Sequence, residues 1–119
     1  MSQQRERWIE VCGWRTFQHY RDRDPIWIKN YVRLVRDDNY LNLTLEARGL
    51  LHGIWLLRAQ TGGPLRESTV KRMLHGGAIG RASGNTRRHI GRHLEALNRA
   101  GFIEILDSEP LAPETETEK

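Results

Sequence analysis

The 119-residue sequence predicts an α+β domain, mainly α, with a small antiparallel sheet. Three observations carry that expectation. Residues 43–63 and 85–100 place apolar side chains at helical spacing between capping residues. Four short runs, at 7–12, 16–20, 64–65 and 102–106, have strand-like composition and are too short for anything but a small sheet. Four tryptophans and a 38% apolar content supply one core, in spite of a mean hydropathy of −0.67.

The elements follow in chain order. RWIEVCGW (7–14) reads as a strand, and Gly13 then permits a turn into TFQHY (16–20), a second short strand. RDRDP (21–25) is a charged loop. WIKNYVRLVR (27–36) has apolar residues at 27, 28, 31, 32, 34 and 35, which suits a helix that buries one broad face and ends at Asp37-Asp38-Asn39. In 43–63, Thr44 is the expected N-cap, Glu46 complements the first turn, and Gly62-Gly63-Pro64 stops the helix. Ala47, Leu50, Leu51, Ile54 and Leu57 form one face. Leu45, Trp55 and Leu56 extend apolar character around the cylinder, so the helix is expected to be central and buried. Gly49 and Gly53 leave a groove for a neighbour. Pro64-Leu65 supplies a short strand, 66–74 a short helix and 75–84, with four glycines, a loop. Residues 85–100 form the second long helix, capped by Ser83 or Asn85 at its start and by Gly101 at its end. FIEIL (102–106) is a strand. The domain is thus expected over 1–106, with an acidic, disordered tail over 107–119.

Charge is not evenly spread. The net charge is +4, yet residues 66–103 hold eight basic and two acidic side chains, and 104–119 hold one basic and six acidic. A basic segment of this kind is the footprint of a polyanion binder. On the helix at 85–100, Thr86, Ile90, Leu94 and Leu97 fall within an arc of about 80°. Arg88, Arg92, Glu95 and Arg99 lie opposite, with Asn85 and His89 on one flank and Arg87 and Gly91 on the other. One stripe is therefore buried, and the rest offers guanidiniums and amides, whose fork geometries match base edges and phosphate. A solvated amphipathic helix is the plain alternative.

The order of elements favours the first. A short helix, a linker, a longer basic helix, then Gly and a strand is the plan of a winged helix-turn-helix, in which the second helix enters the major groove. No second wing strand follows Leu106, so the N-terminal strand is expected to complete the sheet. On this plan Asn85, Arg87, Arg88 and Arg92 are the base-reading candidates. Lys71, Arg72, Arg81 and Arg99 are the phosphate contacts, and His89 supports phosphate or packs at the core edge.

FQHYRDRDPIWIKNYVRLVRDDNYLNLTLEARGLLHGIWLL (17–57) resembles the N-terminal winged-helix domain of phage replisome organisers, a DnaD-like family. The shared features are Trp27-Ile28-Lys29, the acidic pair Asp37-Asp38, the cap at Leu43-Thr44 and the long apolar helix after it. RRHIGRHLEALNRAGFIEI (87–105) resembles the closing recognition helix and Ala-Gly-Phe-Ile turn of many winged helices, transcription regulators included. The resemblance covers about residues 7–106. It implies double-stranded DNA binding near a phage origin and recruitment of host replication proteins.

Other chemistry is set aside. His89 and His93 are four apart but have no completing ligands nearby, so no metal site is expected. LHGGAIGR (74–81) has neither a P-loop nor a dinucleotide fingerprint. No nucleophile–base set is legible, so neither enzymatic activity nor a cofactor is expected. Cys12 is the lone cysteine and is read as a small core residue in a reducing compartment. No run is long and apolar enough to span a bilayer, and MSQQRERW is not a signal peptide. The expectation is a cytoplasmic protein of a bacterial host cell, associated with the nucleoid. Two alternatives stay open: a homodimeric transcriptional regulator, and a protein-interaction module that docks on a host protein.

Overall fold

A computed structural model describes residues 6–17, 28–74 and 86–109, with backbone alone at 16–17 and 86–89. The sheet has three antiparallel strands: β1 (Trp8–Val11), β2 (Leu65–Arg66) and β3 (Ile103–Leu106), in the order β2-β1-β3. The N-terminal strand completes the sheet, as expected, and does so from the central position. Ile9 faces Leu65 on one side and Ile105 on the other, and Val11 faces Ile103. The pleat alternates, so Ile9, Val11, Leu65 and Ile103 point into the core.

The register also sets Glu10 opposite Glu104. Like charges directly across a ladder are unfavourable. Arg58 offsets one of them: its Nε and Nη2 donate to Glu10 Oε1 and Oε2 at 2.7 and 3.3 Å. The guanidinium is buried, with its carbon 5.3 Å from the centre of the Trp14 ring.

After β1 the structure departs from the expected second strand. Gly13 adopts φ 71°, and Trp14–Phe17 forms a single helical turn, α1. The left-handed residue reverses the chain before it can continue in the sheet. Residues 18–20 of the expected strand lie outside the described residues. The expected helix over 27–36 is also not formed. Within its described part only Val32–Arg36 is helical, as a 3-10 turn that buries no side chain. Val32 is 80% and Val35 63% exposed. β-Branched residues are poor helix formers, and Asp37 is committed elsewhere. Its Oδ1 accepts from Asn39 N and Tyr40 N at 2.8 and 3.3 Å, so the acidic run opens α2 (Asp38–Leu41) instead of closing a helix.

The long helix α3 (Leu45–Thr61) has the expected ends. Thr44 Oγ1 accepts from Ala47 N at 3.0 Å, and Gly62 closes it at φ 80°. Ala47, Leu50, Leu51, Ile54 and Leu57 are all buried. The helix is not buried all round, however: Leu45 is 75% and Leu56 58% exposed. The pair of glycines is used unequally. A Cβ on Gly53 would stand 3.0 Å from a Leu74 methyl, whereas one on Gly49 would meet nothing within 4 Å.

Helix α4 (Glu67–Met73) follows β2 directly, and α5 (Thr86–Ala100) leads into β3. Val70, Ile90, Leu94 and Leu97 join the core formed by α3 and the sheet. A smaller aromatic cluster fixes α2 to α3. Tyr40 Oη lies 2.9 Å from His52 Nε2, His52 meets Trp55 edge-on at 4.9 Å, and Tyr40 meets Phe102 edge-on at 6.2 Å. Among the described residues no helix is long and apolar enough to cross a membrane. The expected linker over 75–84 and the acidic tail from residue 110 lie outside the described residues.

Candidate nucleic-acid interface

Helix α5 is held at both its side and its end. Leu94 and Leu97 are fully buried and Ile90 nearly so. The end is a two-bond glycine cap: Phe102 N donates to Leu97 O at 3.0 Å and Gly101 N to Asn98 O at 3.2 Å, with Gly101 at φ 88°. This 6→1 and 5→2 pair satisfies carbonyls that would otherwise be orphaned and turns the chain straight into β3. Phe102 O in turn accepts from Cys12 N at 3.0 Å, tying the turn to the end of β1.

With that seam inward, Arg92 and Arg99 are exposed, Glu95 and His93 are half-buried, and Gly91 has open space where a Cβ would stand. Among the described residues no carboxylate pairs with Arg92 or Arg99. Arg87, Arg88 and His89 lie on the α5 backbone, but their side chains are outside the described residues, as are Arg81 and Asn85 altogether. The unpaired half of the candidate surface therefore stands on Arg92 and Arg99.

The α4 candidates differ from one another. Arg72 is exposed. Lys71 is half-buried, with Nζ 3.5 Å from Glu67 Oε2 one turn earlier. Glu67 is itself buried and also receives Arg7, whose Nε and Nη2 donate to its two oxygens at 2.9 and 2.6 Å. The guanidinium holds the Glu67 carboxyl below the usual carboxylate range, and the carboxylate raises Arg7 above its ordinary value. Arg7 Nη1 reaches on to Glu95 Oε2 of α5 at 3.4 Å. Next to it, Glu6 accepts from Ser68 N and Ser68 Oγ at 3.2 and 3.0 Å, capping the start of α4 from outside the helix. The approach to β1 thus ties both helices of the basic segment to the sheet.

Sequence reading missed Glu6, Arg7 and the Arg58–Glu10 pair. The one available signal was arithmetic: a segment with so few carboxylates makes each one conspicuous. Nothing in 1–10 marks Arg7 as their partner, because the contact spans 60 and 88 residues of chain. Arg66, also missed, is exposed and stacks over its cross-strand partner Trp8 at 5.4 Å.

Two expectations concern groups away from α5. Cys12 is exposed rather than a core residue, because Val11 takes the inward position and the next side chain points out. Partial burial, then Glu104 and Glu10, push its thiol up, away from the reactive thiolate. It lines a cleft of about 580 Å³, open mouth included, walled by Trp14, Trp55, Tyr31 and Phe102. Among the described residues no three His, Cys, Asp or Glu side chains are placed to hold a metal ion.

No family model, no curated protein and no solved structure matches the chain.

Proposed function

We propose that the protein binds double-stranded DNA through α5 on a winged helix-turn-helix scaffold. The observation that carries this reading is the two-sidedness of α5. Its Ile90–Leu94–Leu97 seam is buried, while Arg92 and Arg99 stand exposed with no carboxylate partner among the described residues. The element order supports it: α3, β2, α4, α5 and β3 follow the winged-helix sequence, and β1 between β2 and β3 stands where the returning wing strand would be. On this reading Asn85, Arg87, Arg88 and Arg92 read bases, Lys71, Arg72, Arg81 and Arg99 meet phosphate, and His89 supports phosphate.

The resemblance of 17–57 to phage replisome organisers favours a role in replication initiation inside a bacterial host, with host replication proteins as further partners. The test is selection of bound sites from random duplex at two salt concentrations. A recovered consensus, with binding that weakens as salt rises, supports the reading. No enrichment and no salt-sensitive binding defeats it.

One observation favours a second reading. Leu45 and Leu56 lie on the same side of α3 about 16 Å apart, both exposed, with open space at Gly49 between them. These two exposed leucines suit contact with another protein chain, as in a dimeric regulator or a host-docking module. Solution mass with a footprint distinguishes these: a dimer on two half-sites one helical turn apart favours the regulator.

A further inference from the structure

Residues 66–103 contain two carboxylates, Glu67 and Glu95, among eight cations. One guanidinium from outside the segment reaches both. Arg7 forks across Glu67 at 2.9 and 2.6 Å and extends to Glu95 at 3.4 Å. Glu95 stands three residues after Arg92 and four before Arg99, the spacings at which helical side chains pair. Its ion-pair partner among the described residues is nevertheless Arg7, not either neighbour on its own helix.

A carboxylate in the middle of a phosphate-binding face does harm in two ways. It repels the phosphates, and it competes for the arginines that should meet them. We propose that Arg7 is a positioning residue for the DNA interface: it occupies Glu67 and Glu95 and so leaves Arg92 free to meet the bases and Arg99 the phosphate backbone. The inference rests on the DNA-binding reading. It differs from a purely structural role, in which Arg7 would only tie the chain's start to α4, and from a direct role, in which Arg7 itself would touch DNA. The same guanidinium holds Glu67 below the usual carboxylate range, so both members of that pair stay charged at neutral pH.

A double-mutant cycle separates these roles. Affinity for a random-sequence duplex is measured for the full chain at about 0.1 M salt, where charges more than about 10 Å apart are screened. The variants are Arg7→Met, the pair Glu67→Gln with Glu95→Gln, and all three together. Arg7→Met is expected to weaken binding roughly tenfold, and the two glutamines to restore most of that loss. The same glutamines in the presence of Arg7 are expected to change affinity less than about twofold. Thermal melts confirm that each variant is folded. If Arg7→Met is unfolded at the assay temperature, Arg7→Lys takes its place, since it keeps one cation but cannot fork, and the same pattern is expected at smaller size. An equal gain from the glutamines in both backgrounds overturns the proposal, as does a loss in Arg7→Met that they do not restore. Both results leave DNA binding intact. A wild-type chain that binds no duplex at any salt removes the DNA reading and this inference together.

Discussion

Leu74 sits over Gly53: its two methyl carbons lie 3.0 and 3.1 Å from the place where a Cβ on Gly53 would stand. The residue that closes α4 is thereby seated on α3 at a point where only hydrogen gives room. At Gly49, one turn earlier, the same position is open. Alanine is favoured over glycine inside a helix by about 0.5–1 kcal/mol. Gly49→Ala should therefore raise stability by about that amount in a denaturant titration. Gly53→Ala should forfeit the gain, because Leu74 must shift by a few tenths of an ångström. Equal stabilisation by both would show that α4 is not seated at Gly53.

The seam of α5 makes a second pair of expectations. Leu94 is fully buried, so Leu94→Ala should cost about 2–5 kcal/mol. Gly91 lies off the seam with open space beside it, so Gly91→Ala should stabilise α5 by up to about 1 kcal/mol. If the open side of α5 meets a duplex closely, the same methyl group should weaken DNA binding while the melting temperature rises. Opposite movement of the two readouts is the diagnostic result; weaker binding with a lower melting temperature would reflect damage to the helix alone.

His52 gives a prediction in pH. Burial lowers its imidazole below the ordinary value, where it faces Tyr40 Oη at 2.9 Å and Trp55. The folded chain therefore resists the proton that the unfolded chain takes up at about pH 6.5. Stability should hold above that pH, fall as the pH drops below it, and level off once the folded imidazole is also protonated. His52→Gln, which can still reach Tyr40, should remove this part of the dependence. An unchanged slope between about pH 6.5 and 5 in that variant would assign the loss to another group.

The two long helices were legible because their signals are local. Thr44, Gly62 and Gly101 fix the ends through neighbours four residues away or fewer, and the Ile90–Leu94–Leu97 spacing is a property of one helix. The part of β1 in completing the sheet was legible for a different reason, since a chain with so few strands leaves few ways to complete one. The segment 28–41 misled because its apolar spacing fits a helix while its backbone preferences do not. Asp37 also carries two possible meanings, stop or start, and tertiary contacts between Tyr40 and His52 favour the start. Cys12 misled by one residue of pleat. Of the candidate site, the exposure of Arg92 and Arg99 was legible from periodicity, whereas the placement of Arg7 was not, because its partners are chosen by the sheet and not by sequence neighbours.

The measurement closest to the central claim is the salt dependence of duplex affinity for the wild-type chain, Arg92→Ala and Arg99→Ala. The wild type should lose affinity steeply as salt rises, with log affinity linear in log salt. Arg99→Ala, which on the proposed reading removes one phosphate contact, should make that slope shallower by about 0.9 and weaken all sequences alike. Arg92→Ala should cost about 1–3 kcal/mol on the selected site and much less on random duplex. Slopes and affinities identical to wild type in both variants, with the chain folded, would mean that the exposed side of α5 does not face DNA.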